Sequence, residues 1–218
     1  MSDTPITGIP RIGDIAPDFT AVTTEGTIKF SEWQGDKWAI LFSHPADFTP
    51  VCSTELTEFA KRKSEFDALN TKLIGLSIDS IHSHLAWREN LKKILDTELT
   101  FPLIADLDAK VSHKFGMLHP GESETVTVRA VFLIDPTRKV RALVYYPLNV
   151  GRNIDEIKRL LTALQTTDKH KVAAPVNWKP GDKVIVPPPK TVADVAERKS
   201  HKDYEQIDFY LNKKSLPL

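Results

Sequence analysis

The sequence contains a single cysteine, Cys52, among its 218 residues. One cysteine excludes an internal disulfide, a Cys-x-x-Cys redox pair and a zinc site built from several cysteines. An unpaired cysteine is typical of proteins in reducing compartments, where thiols stay reduced. Any thiol chemistry in this chain therefore depends on one sulfur atom and on thiols supplied from outside the chain.

Long apolar runs and an excess of charge of one sign are also missing. No run approaches the roughly 18 apolar residues of a membrane-spanning helix, and the first residues lack the basic and apolar regions of a signal peptide. The 29 basic and 29 acidic residues cancel, so the composition does not predict a nucleic-acid-binding surface. These absences predict a soluble, cytoplasmic protein that binds neither a membrane nor a nucleic acid.

What is present is an alternation of short apolar runs and helical segments. The runs 38–43, 73–78 and 129–134 are too short for core helices and indicate buried strands. Helical spacing of apolar residues follows the first two runs, and a hairpin is expected over 129–146. This order predicts an α/β fold with helices on both faces of a sheet, preceded by an extended lead-in over residues 1–16.

The composition changes after residue 168. Pro175, Pro180 and the triplet Pro187–Pro189 favour an extended chain, because proline cannot donate a ladder hydrogen bond. One short helix is expected over 191–199. We therefore predict a domain over residues 1–168 and an extended C-terminal arm over 169–218. The arm has too little core to fold alone, so its aromatic side chains need another surface to pack against.

Cys52 is predicted to lie at the start of a helix that runs on to Leu69. Thr49 is a good N-cap residue and Pro50 suits the first helical position, which makes Cys52 the third. There the free N–H groups and the helix dipole stabilise negative charge. The position indicates a reactive thiolate, although a free cysteine is also commonly a small buried apolar residue.

The segment from Pro45 to Cys52 resembles the Pro-x-x-x-Thr-x-x-Cys signature of the peroxiredoxins, and in particular their one-cysteine branch. The segment 128–136 is similar to the arginine-bearing strand of that family. Segments 146–153 and 175–182 are similar to later landmarks of the one-cysteine branch. The resemblance covers most of the chain and implies a thioredoxin-like fold with an extended C-terminal arm.

The resemblance also implies the main catalytic roles. Cys52 is the nucleophile, Thr49 donates a hydrogen bond to the peroxide, and Pro45 shields the sulfur. Arg129 holds Cys52 as a thiolate and binds the substrate. Ordinary structural roles remain open for each of these three neighbours: a plain N-cap, loop rigidity and a strand-end salt bridge, respectively.

Three further residues belong to the predicted site. Glu55 is expected to orient Arg129, Arg152 to be a second active-site arginine that binds substrate, and His44 to assist at the substrate. A solvated helix carboxylate, a surface arginine and a satisfied structural histidine are the alternatives. The remaining histidines show no ligand spacing, so neither a metal site nor a cofactor is predicted: His82, His84, His113, His119, His170 and His201.

The function implied is that of a thiol-dependent peroxidase in antioxidant defence and redox homeostasis. Cys52 would reduce hydrogen peroxide and alkyl hydroperoxides to water or alcohol and become a sulfenic acid. An external thiol, of low molecular weight or on a thioredoxin-like protein, would regenerate it. The resemblance also implies a homodimer, or a higher oligomer such as a ring of dimers, with the arm on the partner subunit.

Two alternative functions remain open at this stage. One is an oligomeric holdase chaperone or a redox-sensing interaction protein, whose cysteine senses peroxide without turning it over. The other is a Cys–His hydrolase using Cys52 and His44, although no oxyanion-hole pattern accompanies them. Steady-state peroxide consumption with a supplied thiol separates the peroxidase from both.

Overall fold

The computed structural model describes residues 8–217. The predicted lead-in over residues 1–16 therefore lies partly outside the described residues. So do the first residues, on which the absence of a signal peptide was predicted. Contacts between Cα atoms divide the chain into two compact units that meet between Ile154 and Asp155. Each unit is described by itself, and the predicted division at residue 168 stays a prediction.

The first unit contains a seven-stranded mixed sheet with the order β2-β1-β5-β4-β3-β6-β7. The central strands β3, β4 and β5 are parallel, and the remaining pairs are antiparallel. The elements, in chain order, are β1 (Thr20–Thr23), β2 (Gly26–Lys29), α1 (Phe30–Gln34), β3 (Trp38–Ser43), α2 (Pro50–Lys61), α3 (Lys63–Ala68), β4 (Thr71–Ser77), α4 (Ile81–Leu95), β5 (Leu103–Ala105), α5 (Lys110–Lys114), β6 (Arg129–Ile134) and β7 (Val140–Tyr146).

Strand β3 is central to the sheet and is buried along its whole length. Burial on both faces requires apolar side chains in succession, which explains the continuous apolar run. On one face Leu41 packs in a core with Phe30 of α1 and Val111 of α5. On the other face Phe42 stacks on Phe59 of α2, with ring centroids 4.3 Å apart. Helices thus cover both faces, and the predicted α/β architecture is confirmed.

The helix that follows Cys52 is shorter than predicted. A single helix was expected to reach Leu69, but α2 ends at Lys61 and α3 begins at Lys63. Arg62 leaves the helical region, with φ −100° and ψ 7°. The resulting turn brings Phe66 of α3 into the core, where its ring lies 6.1 Å from that of Phe59.

The second unit is more structured than the extended arm that we predicted. Helix α6 (Ile154–His170) begins at the boundary and is followed by β8 (Val184–Ile185), α7 (Val192–Ser200), β9 (Glu205–Asp208) and β10 (Leu211–Lys214). The three strands form an antiparallel sheet in the order β8-β10-β9.

This unit has a small apolar core of its own. Trp178 is 2% exposed and packs with Ala163 of α6, Val172 and Val184. For Trp178, α6 of the same chain supplies the other surface that the aromatic residues of this region were expected to need. Phe209 and Tyr210 remain 51% and 54% exposed. Among the helices within residues 8–217, none has the length and apolar character needed to cross a membrane.

Candidate active site

Cys52 lies in the first turn of α2, directly after the loop that leaves the central strand. Thr49 has the extended conformation of an N-cap residue (φ −107°, ψ 148°), and Pro50 takes the first helical position. By helix geometry, the N–H groups of Val51 and Cys52 have no carbonyl partner within α2. The side chain of Cys52 is fully buried and forms no disulfide. The sulfur therefore lies at the positive end of a helix dipole, away from bulk water.

Arg129, the first residue of β6, reaches the sulfur directly. Its Nη1 lies 3.2 Å from Sγ of Cys52 and 2.7 Å from Oε2 of Glu55. Its Nε and Nη2 donate to the carbonyl oxygen of Leu148, at 3.1 and 2.6 Å. The guanidinium is thus held on two sides and points one N–H group at the sulfur. Because guanidinium stays protonated, the sulfur is in contact with a permanent positive charge.

Glu55, one helical turn beyond Cys52, lies between two arginines. Oε2 accepts from Nη1 of Arg129 and from Nη2 of Arg152, at 2.7 and 2.8 Å, and Oε1 accepts from Nε and the backbone N–H of Arg152. Burial raises the pKa of Glu55, but the charges and hydrogen bonds of Arg152 and then Arg129 outweigh burial and hold the pKa below its usual value. The carboxylate is therefore ionised.

Arg152 lies behind Glu55, and the contacts of its guanidinium are with protein groups. Besides Glu55, it donates to the carbonyl oxygens of Ser43 and Ala130, at 2.8 and 3.1 Å. Its guanidinium carbon lies 5.2 Å from the ring centroid of Phe42. We expected Arg152 to bind substrate. In the structure it donates to Glu55, which in turn contacts Arg129, and binding of substrate by Arg152 stays a prediction.

The buried charges of this cluster do not cancel. Arg129 and Arg152 carry two positive charges and Glu55 one negative charge, and all three side chains are at most 3% exposed. An uncompensated buried charge is costly. A Cys52 thiolate, in contact with Arg129, would neutralise the cluster.

Thr49 and Pro45 lie in the loop before α2. The Thr49 hydroxyl donates to the carbonyl oxygen of Ala46 at 2.8 Å. It does not cap the helix through its side chain, because it is turned back towards the loop. Pro45 is buried, next to His44 at the end of β3. Donation from Thr49 to a peroxide and shielding of the sulfur by Pro45 stay predictions.

His44 takes part in a buried network that the sequence did not reveal. Its Nε2 lies 2.9 Å from Oδ1 of Asp47, and Nδ1 of His84 lies 2.8 Å from Oδ2 of the same carboxylate. The residue spacing gave no signal, because His84 is on α4. The ends of the parallel strands β3 and β4 lie side by side, however, and bring the segments that follow them together.

Within residues 8–217, one group of side chains offers three atoms that could bind a metal ion. It consists of His44, Asp47 and His84. Both carboxylate oxygens already lie at hydrogen-bonding distance from ring nitrogens. The second nitrogen of His84 lies 3.0 Å from the carbonyl oxygen of Ile104, which can only accept. These contacts pair both ring nitrogens of His84 and one of His44 with oxygen atoms, whereas a metal needs unprotonated nitrogens that converge on one point.

Comparisons with known proteins place this geometry in context. The model of the AhpC/TSA family matches residues 12–143, and that of the C-terminal domain of 1-Cys peroxiredoxin matches residues 163–201. A peroxiredoxin of Methanosarcina mazei is 53% identical over 196 residues, covering 87% of this chain and 90% of the relative.

Two solved structures are similar over nearly the whole chain. A yeast mitochondrial 1-Cys peroxiredoxin superimposes with a TM-score of 0.86 at 42% identity, covering 95% of this chain and 100% of the other. A cysteine-to-serine mutant of the peroxiredoxin 6 of Arenicola marina gives a TM-score of 0.84 at 36% identity, with coverage of 95% and 98%.

Proposed function

The chain belongs to the peroxiredoxin family, and from that premise we propose that Cys52 is the residue that reduces the peroxide. The protein has the thioredoxin-like fold of this family and is a thiol-dependent peroxidase of the 1-Cys type. The observation that supports the choice of residue is the contact of 3.2 Å between Sγ of Cys52 and Nη1 of Arg129. It joins the only thiol in the sequence to a permanent positive charge.

In the proposed first half-reaction, the Cys52 thiolate attacks one oxygen of hydrogen peroxide or of an alkyl hydroperoxide. An S–O bond forms as the O–O bond breaks, giving a sulfenic acid and a hydroxide or alkoxide that takes up a proton. Arg129 and the free N–H groups at the start of α2 donate hydrogen bonds to the oxygens as negative charge moves onto the leaving group. Thr49 aligns the peroxide once its hydroxyl turns away from Ala46.

The second half-reaction needs thiols from outside the chain, because the sequence has no other cysteine. One external thiol attacks the sulfenic sulfur, releasing water and leaving a mixed disulfide. A second thiol then attacks that disulfide and restores Cys52. We propose a low-molecular-weight thiol or a thioredoxin-like protein as the reductant. In the yeast mitochondrial 1-Cys peroxiredoxin, the thiol is resolved via the glutathione and thioredoxin systems.

Burial of Cys52 constrains this second step. The side chain is 0% exposed, so an external thiol cannot approach the sulfur along the line of the S–O bond. The loop over residues 44–49 or the first turn of α2 must therefore move before reduction. We propose that opening of this segment, rather than thiol attack itself, limits turnover with bulky reductants.

Self-association and location are proposed from the exposed surface of the second unit and from the single thiol. Ile207, Phe209 and Tyr210 in the second unit are each more than half exposed, at 53%, 51% and 54%. Exposed apolar groups of this size favour burial against another surface. We propose that they pack against a second copy of this chain, giving a homodimer or a ring of dimers. For the location, we propose a reducing compartment such as the cytoplasm, because a single unpaired thiol stays reduced there.

The test compares the parent with Cys52→Ser in steady-state peroxide consumption, with glutathione or thioredoxin as the supplied thiol. We expect sustained turnover for the parent and background consumption for Cys52→Ser. Turnover by Cys52→Ser at the parental rate would show that Cys52 does not carry the reaction. A parent that reacts once and then stops with every thiol would instead favour the redox-sensing role.

A further inference from the structure

Asp47 and His84 lie outside the cluster around the sulfur, yet they are among the most buried titratable groups of the described residues. Their side chains are 1% and 0% exposed. Asp47 is in the loop between β3 and α2, five residues before Cys52, whereas His84 is on α4. Their contact of 2.8 Å therefore joins the loop that leads to the reactive cysteine to a separate helix.

The hydrogen-bond partners fix the protons in this network. Burial raises the pKa of Asp47, but the hydrogen bonds from His44 and His84 outweigh burial and hold the pKa well below its usual range. The ionised carboxylate accepts at both oxygens, so Nδ1 of His84 carries a proton. Nε2 of His84 faces the carbonyl oxygen of Ile104. The two contacts therefore tie His84 to the carboxylate of Asp47 on one side and to the carbonyl of Ile104 on the other.

His44 completes the network as a neutral ring. Its Nε2 donates to Oδ1 of Asp47, which leaves Nδ1 as the unprotonated nitrogen, and that atom is buried without a hydrogen-bond partner among the described residues. Burial lowers the pKa of His44, against the opposing effect of Asp47. The charges of His84 and Asp79 also act on this ring, and Asp79 accepts from the backbone N–H of Asp47 at 3.0 Å.

The network holds a loop that would not keep its shape unaided. Phe48, immediately after Asp47, has a φ of +54°, a conformation that is strained for a bulky residue. Its side chain is 55% exposed, so burial of the ring does not explain the conformation. Asp47 is fixed through its backbone by Asp79 and through its carboxylate by His44 and His84. These anchors lie directly on the N-terminal side of the strained residue.

We propose that Asp47 and His84 are positioning residues of the peroxidase, whose hydrogen-bonded contact fixes the loop over residues 45–49 and thereby the start of α2 that carries Cys52. They would act through the position of the loop and not on the reacting atoms. The inference rests on the proposed role of Cys52. It assigns a function to the contact between this chain's own loop and α4, not to the residues that contact the reacting atoms.

Two substitutions at His84 separate the two hydrogen bonds of the ring. In His84→Asn the amide nitrogen occupies the place of Nδ1 and keeps a donor to Asp47. In His84→Gln it occupies the place of Nε2 and keeps a donor to the Ile104 carbonyl. The proposal expects His84→Asn to retain more of the second-order rate of Cys52 oxidation by peroxide. In His84→Gln and in Asp47→Asn the loop over residues 45–49 is no longer held in place, and this should lower that rate roughly 10- to 100-fold.

Asp106→Asn is the matched control. Asp106 is also a buried carboxylate with several donors, the N–H groups of Val111 and Ser112 and the Ser112 hydroxyl, but it lies at the start of α5. We expect this variant to lose stability and to keep its oxidation rate. Equal losses in Asp106→Asn and Asp47→Asn would mean that the effect at Asp47 is general destabilisation, and would overturn the proposal.

A measurement on the parent protein does not depend on whether a variant folds. Nitrogen NMR of the histidine rings should show a proton on Nδ1 of His84, shared with Asp47, and an unprotonated Nδ1 would overturn the proposed contact. If His84→Gln oxidises as fast as the parent while Cys52→Ser is inactive, this proposal fails and the proposed function stands. Activity in Cys52→Ser would instead remove the proposed function.

Discussion

At the scale of single residues, charges of alternating sign form a row that ends at the sulfur. Arg152 binds Glu55, Glu55 binds Arg129, and Arg129 contacts Cys52. The charges of Arg152 and Arg129 hold the pKa of Glu55 below its usual value. The row contains two cations and one carboxylate, and the sulfur of Cys52 is its fourth member.

The first prediction concerns Arg129→Lys. Lysine keeps the charge but lacks the forked donors that reach Cys52, Glu55 and the Leu148 carbonyl together. The second-order rate of peroxide reduction should fall roughly 100-fold, the order of effect seen when one preorganised donor is removed from a reaction site. Stopped-flow measurement with hydrogen peroxide checks this.

Arg141→Lys is the control for that substitution. Arg141 lies on β7 and pairs with Asp135 at 3.2 Å, remote from the sulfur. Its substitution should leave the rate unchanged. A parental rate in Arg129→Lys would remove Arg129 from the proposed site.

The second prediction concerns Glu55→Gln and the free energy of unfolding. Glutamine places an NH₂ group against two guanidinium groups, and breaking a buried ion pair in this way costs about 3–5 kcal/mol. Because the pKa of Glu55 is lowered on folding, its contribution is complete above its ordinary value of 4.5 and is lost as the pH falls through the lower value of the folded state.

Urea unfolding of both proteins should therefore show a large difference at neutral pH that shrinks in acid. Glu58→Gln, on the half-exposed side of the same helix, should change stability by less than about 1 kcal/mol. A difference between the parent and Glu55→Gln that stays constant from neutral pH to acid would contradict the assignment of an ionised, paired Glu55.

At the scale of elements, the start of α2 determines where the sulfur lies. The chain enters this helix through Phe48 in the left-handed region, which costs of order 1–3 kcal/mol for a residue that is not glycine. Thr49 then begins the helix while its hydroxyl binds back to Ala46. The first turn of α2 is thus held by loop contacts as well as by its own hydrogen bonds.

The third prediction distinguishes two roles of Thr49. Thr49→Val removes the hydroxyl and keeps the shape, so it should lower the peroxidase rate at least roughly 10-fold if the hydroxyl aligns the peroxide. Thr49→Ser keeps the hydroxyl and should retain most of the rate. Thermal unfolding of both variants shows how much of any change is stability. Similar rates for the two variants would leave Thr49 with a structural role alone.

Much of the first unit could be predicted because its signals are local. The run 38–43 and the hairpin strands 129–134 and 140–146 have the predicted bounds, since a buried central strand is apolar on both faces and a hairpin needs only a short turn. Cys52 was placed third in its helix by Thr49 and Pro50 alone. These features depend on neighbours in sequence.

What could not be predicted depends on contacts between distant segments. The pairing of His84 with Asp47 joins residues 37 positions apart, and no periodic pattern in the sequence indicates it. The strands β9 and β10 are short and largely polar, so their pattern resembles that of a loop. The pairing of Arg152 with Glu55 likewise joins distant segments, and no residue near Arg152 in the sequence indicates it.

At the scale of the whole molecule, the second unit presents apolar groups to solvent. Ile207, Phe209 and Tyr210 lie on or beside the hairpin of β9 and β10, while Trp178 is buried in the core of the same unit. The proposed subunit contact therefore depends on the exposed hairpin residues and not on Trp178. This distinction allows a test that leaves the fold of the unit in place.

The fourth prediction is that the double variant Phe209→Ser, Tyr210→Ser weakens self-association. Both rings are about half exposed, so their removal should cost the isolated unit little, whereas a buried aromatic anchor at an interface contributes about 2 kcal/mol or more. Sedimentation equilibrium of the reduced protein measures the change. Val176→Ser, at a position 87% exposed in the same unit, is the control and should leave association unchanged.

If the double variant associates as tightly as the parent, the hairpin is not the contact between subunits. If it dissociates and its Cys52 also becomes overoxidised to the sulfinic acid more readily, the second subunit limits access of peroxide to the site. Intact mass measured after repeated peroxide pulses reports that second effect independently of association.

The central claim is that one sulfur, Cys52, takes an oxygen atom from the peroxide. The most direct measurement is the intact mass of the reduced protein after one equivalent of hydrogen peroxide, with and without a carbon nucleophile selective for sulfenic acids. We expect the parent to gain one oxygen atom, or one adduct at Cys52 when the nucleophile is present, and Cys52→Ser to gain neither. Peroxide consumed by the parent with no change at Cys52 would show that this sulfur does not take the oxygen.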